Sequence, residues 1–286
     1  MQDLTDCMDK VRVRFLVIAW LSMVFYLPGA DVLVVRTIDE APWYWWDLAY
    51  VLYAQLLLAL VVVLTVLFPV RVPIIRIFGR SPTVDEMRAG LTLSVYLYLF
   101  SWAAAYLLFL PLSFWVPSFV NYWFIELPDL IYFDFGTYPA APNALNFISL
   151  CVVAPLLEEF AFRGVILHRW ARKFGVRSAV LWSSVVFGIV HPDFLGAFAF
   201  GVGMCVLYLR TQSLLLPILC HGAYNILVWL SEIGFIIKDG PEHRFTLEQF
   251  QSEWLYGLLA GLIVVVWTWL YFRKPKPEIV WRLPTV

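Results

Sequence analysis

Six polar residues fall inside apolar stretches where lipid-facing sequence is expected. Glu158, Glu159 and Arg163 form the pattern E-E-x-x-x-R, His191 closes F-x-x-x-H, and His221 and Asn225 form H-x-x-x-N. An ionisable side chain at the bilayer centre costs about 2.5–3.5 kcal/mol on insertion scales, so several together require a compensating role. A carboxylate pair, two imidazoles and an amide are the groups that hydrolysis of a peptide bond demands. Water must be held and deprotonated, a tetrahedral oxyanion stabilised, and a proton returned to the leaving amine.

Spacing divides the labour. Neighbouring helical residues diverge by about 100°, so Glu158 and Glu159 do not share one task easily. Glu159 and Arg163 are four apart and stack on one face as an ion pair, which assigns them structural support of the site. Glu158 is left as the candidate general base, its proton affinity tuned by desolvation. His191, followed at once by Pro192, is the candidate to hold the water with Glu158. His221 and Asn225 project from one face as donors toward the oxyanion. Read singly, a His at a helix end is a capping residue, and a His/Asn pair at this spacing is interhelical glue. Three apolar segments that each carry costly polar groups are better explained by convergence on one wet cavity. The same Glu158, His191 and His221 also make a catalytic zinc set, one carboxylate with two imidazoles. The helical H-E-x-x-H spacing is absent, so the spacing does not favour a metal.

The elements that must position these groups are helices in a membrane. Hydrophobic residues make up 62% of the 286 and charged ones 14%, with a mean hydropathy of +0.79, far from the roughly 45–50% apolar content of soluble domains. Apolar windows predict about eight transmembrane helices, near 15–35, 48–69, 91–116, 146–167, 177–191, 195–210, 214–233 and 255–272. The fold class is all-α, a single polytopic membrane domain over 1–286 whose motif-bearing core spans about 146–230. Pro28-Gly29 and Pro111 are expected to kink or end their helices. The charged start and the apolar run from Phe15 lack an A-x-A site, and read as a retained first helix. With both termini cytoplasmic, every Lys and Arg except Arg36, Arg163, Lys238 and Arg244 lies on the cytoplasmic side, the positive-inside pattern. The segment from Pro117 to Asn143 is long for a loop and is expected along the membrane surface. Gly196, Gly201 and Gly203 offer a small-residue packing face. His168 is expected at the cytoplasmic interface and His243 in a surface loop. No C-x-x-C occurs, and Cys151, Cys205 and Cys220 read as buried small hydrophobes. No basic stripe with interleaved aromatics suggests nucleic acid.

Glu158-Glu159-Phe160-Ala161-Phe162-Arg163-Gly164, Phe187-Gly188-Ile189-Val190-His191 and His221-Gly222-Ala223-Tyr224-Asn225 together resemble the three motifs of the CAAX protease and bacteriocin-processing (CPBP, or ABI) family. Each motif is short, but all three in order, each in an apolar segment, make a specific resemblance over about residues 146–230. It implies a multi-helix intramembrane endopeptidase with Glu158 as base, His191 at the water, and His221 and Asn225 at the oxyanion. Both zinc-dependent and metal-free glutamate mechanisms are ascribed to such proteins. Asn225 beside the second His suits a donor pair better than a zinc shell, which favours the glutamate mechanism with no cofactor. The implied partners are the lipid bilayer and a membrane-anchored or lipidated protein substrate. The compact chain and its charge bias suggest a bacterial inner (plasma) membrane. Two other classes use the same buried cluster: a transporter or proton relay, and a non-catalytic immunity or scaffold protein. No inverted repeat or pair of broken helices supports the first.

Overall fold

The computed structural model describes residues 10–24, 42–67, 74–127, 129–241 and 243–273, with 281 and 283. The chain is an all-α polytopic membrane protein: helices make up its described architecture, and only two isolated bridges, Gly79–Ser213 and Asp134–Thr137, pair extended backbone. In chain order the helices are α1 (Val13–Val24), α2 (Trp43–Val62, continued by a π turn Val63–Leu67), α3 (Ile74–Phe78) and α4 (Val84–Trp115). After these come α5 (Pro117–Val120, continued by Asn121–Ile125), α6 (residues 140–174), α7 (Val176–Ile189), α8 (Phe194–Thr211), α9 (Leu215–Asp239), α10 (Leu247–Ser252) and α11 (Trp254–Phe272). Five of them, α2 with its π turn, α4, α8, α9 and α11, are long and apolar enough to cross a membrane.

Where its residues are described, each apolar window returns as a helix, with informative differences at the edges. The second half of the first window, with Pro28-Gly29, lies outside the described residues. The third helix begins seven residues earlier than expected, because Thr83 and Glu86 form a reciprocal capping box: the Glu86 N–H donates to Thr83 Oγ1 at 3.3 Å and the Thr83 N–H to Glu86 Oε2 at 2.8 Å. Such T-x-x-E signals satisfy two orphan donors at a helix start. Pro111 does not end this helix, which runs on to Trp115. So late in the helix, the N–H that proline lacks removes only one bond of the ladder. The stretch from Pro117 is not wholly a loop either. Its α5 buries Val120 against Ala105, Tyr106 and Phe109 of α4 and Phe250 of α10.

The fourth window grows into α6, a continuous helix that widens into π turns at Ser149–Val153 and Phe160–Ile166. In the first π turn the Ala154 N–H reaches Ser149 O, five residues back. Pro155 follows and has no N–H to give, so Leu150 O loses its donor in that register. Helix α9 covers this gap. Gly222 comes so near that a Cβ there would sit 2.7 Å from Cys151 O, and Asn225 Nδ2 donates to Leu150 O at 2.8 Å.

Helix α4 is the central post, packed by α8, α9 and α11, while α7 lies against α8. The glycine face of α8 serves these contacts. A Cβ on Gly201 would meet Ser184 Cβ of α7 at 2.9 Å, and one on Gly203 would meet Leu97 of α4 at 2.9 Å. Gly201→Val therefore forces two helices apart. We expect a loss of about 1–3 kcal/mol, read as a lower melting temperature of the purified protein in detergent. At one end of the bundle, Gly79 (φ +65°) lets α3 turn under the α8–α9 connection, where Leu214 N–H donates to Phe78 O at 2.9 Å. His168 is not an interfacial residue: it is 3% exposed, and its Nε2 lies 2.9 Å from the Tyr208 hydroxyl. Its basic neighbours suggested solvent, but the imidazole turns inward to a buried partner. His243 is in an exposed connection, bonded to Gln249. Outward-facing apolar residues on α11, such as Leu258, Leu262, Val265 and Trp269, present the lipid-facing surface of the bundle.

Candidate active site

Glu159 lies at the centre of the polar cluster. Its carboxylate is fully buried, as is Arg163 one turn on, and Arg163 Nη1 donates to Glu159 Oε1 at 2.8 Å. The second guanidinium arm donates to Gly201 O on α8 at 3.1 Å, and the cation lies 4.8 Å from the Phe187 ring centre. Arg163 thus ties α6 to α7 and α8 while balancing a charge that could not remain buried alone. Being planar and forked, a guanidinium serves a carboxylate and a carbonyl at once, which an ammonium would not do with the same geometry.

Glu159 does more than pair with Arg163. His221 Nδ1 on α9 lies 2.9 Å from the same Oε1, and His221 Nε2 lies 3.9 Å from Glu158 Oε2. The two adjacent carboxylates diverge around α6, yet one imidazole reaches both because its nitrogens sit on different sides of the ring. Glu158 Oε2 is buried with no hydrogen-bond partner. A carboxylate oxygen left so in a protein interior is costly, and such atoms call for a specific explanation.

His191 follows α7 in a turn whose Val190 no longer has helical backbone angles. Its Nδ1 bonds Phe187 O at 2.6 Å, and its ring stacks on Phe187 with centroids 4.4 Å apart. That bond makes Nδ1 the donor, so in the neutral imidazole Nε2 keeps its lone pair, the tautomer the network selects. Phe187 stands between the imidazoles, 6.1 Å from His221, and Phe200 covers His221 from α8 at 4.8 Å. His191 is therefore beside the cluster and not bonded to its carboxylates. Asn225, one turn beyond His221, spends one amide proton on Leu150 O and keeps the second.

The structure thus joins Glu158, Glu159, Arg163 and His221 directly, holds Asn225 on the same face of α9, and sets His191 across Phe187. Sequence spacing missed Asp193 and Ser101. Asp193 accepts from the Gly196 N–H at 3.1 Å, and Tyr224 donates to Ser101 at 2.8 Å. The D-x-x-G spacing at the start of α8 was the available signal for the cap, whereas nothing in sequence links Ser101 to it. Among the described residues no three His, Cys, Asp or Glu side chains, Glu158, His191 and His221 included, gather closely enough to hold a metal ion.

Comparison with known proteins points the same way. Residues 140–227 match the family model described as "Type II CAAX prenyl endopeptidase Rce1-like". A relative in Bacillus subtilis (strain 168), the "Putative membrane peptidase YdiL", is 34% identical over 123 residues, covering 42% of this chain and 47% of that protein. The match thus spans about half the length of that curated relative. No solved structure matches. All three motifs lie inside the matched segment, so the likeness to that family falls on the part of the chain that carries the polar cluster.

Proposed function

We propose that this chain is a CAAX-type intramembrane endopeptidase, hydrolysing a peptide bond near the membrane-associated end of an anchored or lipidated partner protein. One observation carries the reading: an unpartnered, buried Glu158 oxygen lies beside an imidazole whose other nitrogen is held by a second carboxylate.

The polar contacts support the roles. Arg163 pairs with Glu159, and His221 turns one nitrogen toward Glu159 and the other toward Glu158. His191 Nε2, a lone-pair acceptor, and Glu158 each take a hydrogen bond from the attacking water. As its oxygen bonds the carbonyl carbon, the proton passes to Glu158, and the oxyanion faces the His221 Nε2–H and the free Asn225 amide proton. When the C–N bond breaks, Glu158 returns its proton to the leaving amine. Glu159 and Arg163 act by fixing His221, because a preorganised donor costs no reorganisation in the transition state.

The test is purified protein in proteoliposomes with an internally quenched peptide ending in a farnesylated CaaX sequence. Cleavage near the lipid-bearing end, weaker on the unprenylated peptide, is the expected result, and a chelator arm reports metal dependence. Ion or solute flux without cleavage of any lipidated peptide would replace this reading with a transport function. Within it, Asn225→Ala is expected to lower kcat by about 100- to 1,000-fold with little change in KM, as for loss of one oxyanion donor. Steady-state kinetics on the same peptide check this.

A further inference from the structure

A second polar chain lies behind the site, where the bundle is otherwise apolar. The Tyr224 hydroxyl of α9 donates to Ser101 Oγ of α4 at 2.8 Å. The Asp193 carboxylate stands against Ser101, an oxygen of each crowding the position of a Gly196 Cβ, and it accepts the Gly196 N–H at the start of α8. Ser101 is buried, and the packing leaves no room for drift. A Cβ on Gly196 would collide with both Asp193 Oδ2 and Ser101 Oγ. The chain runs from phenol to hydroxyl to the neighbouring carboxylate.

Its ends matter because of what stands next to them. Asp193 is two residues beyond His191 in the same turn, and Tyr224 lies between His221 and Asn225 on α9. The Tyr224 ring packs 5.0 Å from Phe200, which in turn packs 4.8 Å from His221. The turn bearing one imidazole and the helix bearing the other are thereby fastened to one post, α4. We infer that Tyr224, Ser101 and Asp193 are positioning residues for the proposed reaction, a packed polar chain that sets His191 and His221 relative to each other across Phe187. This rests on the endopeptidase reading of the site. It adds a link between two motifs that share no bond of their own.

The experiment compares Ser101→Ala, Tyr224→Phe and their double variant, with Tyr98→Phe as control. Tyr98 packs against the edge of the same Tyr224 ring, outside the chain. Each single change is expected to lower kcat on the farnesylated peptide about tenfold with KM unchanged. The double variant should fall no further than the worse single, because members of one network are not additive. Asp193→Asn should lose less than Asp193→Ala, since the amide oxygen still accepts the Gly196 N–H. Multiplicative losses in the double variant, or equal losses in Tyr98→Phe, would overturn the inference. A second readout does not need turnover. The chain has four histidines, so imidazole ¹⁵N spectra of histidine-labelled protein resolve each. The His191 and His221 signals should move together in Ser101→Ala while those of His168 and His243 stay. Stillness of the first pair overturns the inference even if wild-type protein cleaves nothing. Their movement without cleavage supports the coupling and rejects only the proposed activity.

Discussion

Glu158→Gln is expected to abolish cleavage while leaving the protein folded. The amide keeps the volume of the carboxylate but takes no proton from water and returns none to the amine, and loss of such a group costs about 100- to 10,000-fold. The effect should fall on kcat, because in the proposed reaction Glu158 moves protons in the chemical step and does not hold the bound peptide. Stability should hold, since Glu158 Oε2 has no hydrogen-bond partner to lose and its ionic contact with His221 Nε2 is long, at 3.9 Å. Single-turnover kinetics and a thermal melt on the same preparation check both halves. Turnover retained in this variant would remove Glu158 as the base, and an unfolded variant would make it a structural residue.

Arg163→Met should produce the largest loss of stability. The guanidinium and the Glu159 carboxylate are both fully buried and 2.8 Å apart, so removing the cation strands a charge in the interior, a change that costs about 3–5 kcal/mol. The bond to Gly201 O is lost with it, loosening α6 from α8. Arg163→Lys should rescue only part of this, because one ammonium does not span both acceptors in the forked geometry. The instructive variant is the double replacement Glu159→Gln with Arg163→Met. With no buried charge left unpaired it should regain much of the stability, yet remain poorly active, because His221 Nδ1 has lost the carboxylate that holds it. Denaturant or thermal unfolding in detergent, set beside cleavage rate, separates the two effects. Full activity in the stabilised double variant would show that Glu159 does not position His221.

Stability and the proposed activity should thus be coupled through one oxygen. Glu159 Oε1 is shared by Arg163 from its own helix and by His221 from α9. The first bond is local and the second crosses 62 residues of chain. A change to either partner is felt by both, which is why predicted losses at Glu159, Arg163 and His221 should not add.

That contrast also marks where the sequence stops being sufficient. The long apolar helices were legible, because an apolar run of bilayer length has few other ways to satisfy its backbone, whereas the short helices at Ile74–Phe78, Pro117–Val120 and Leu247–Ser252 were not. The Glu159–Arg163 pair was legible because spacing of four sets two side chains on one helical face. Local capping at Thr83 was written in the chain too, though hydropathy alone missed it. The reach of His221 to both carboxylates was not legible, because it depends on how closely α9 approaches α6. That approach follows from Gly222, the π turn at Ser149–Val153 and the proline after it, no one of which announces the others. The same holds for His168, whose basic neighbours suggested water while Tyr208, 40 residues on, supplies a buried partner. It holds equally for Ser101, Asp193 and Tyr224, drawn together from three helices. Composition and short-range periodicity determined that this protein is a membrane-embedded helical bundle with ionisable groups inside. Which of those groups touch was decided only by helix packing, because hydrogen bonds act over about 3 Å and the chain sets such distances between remote residues only once its helices have closed on one another.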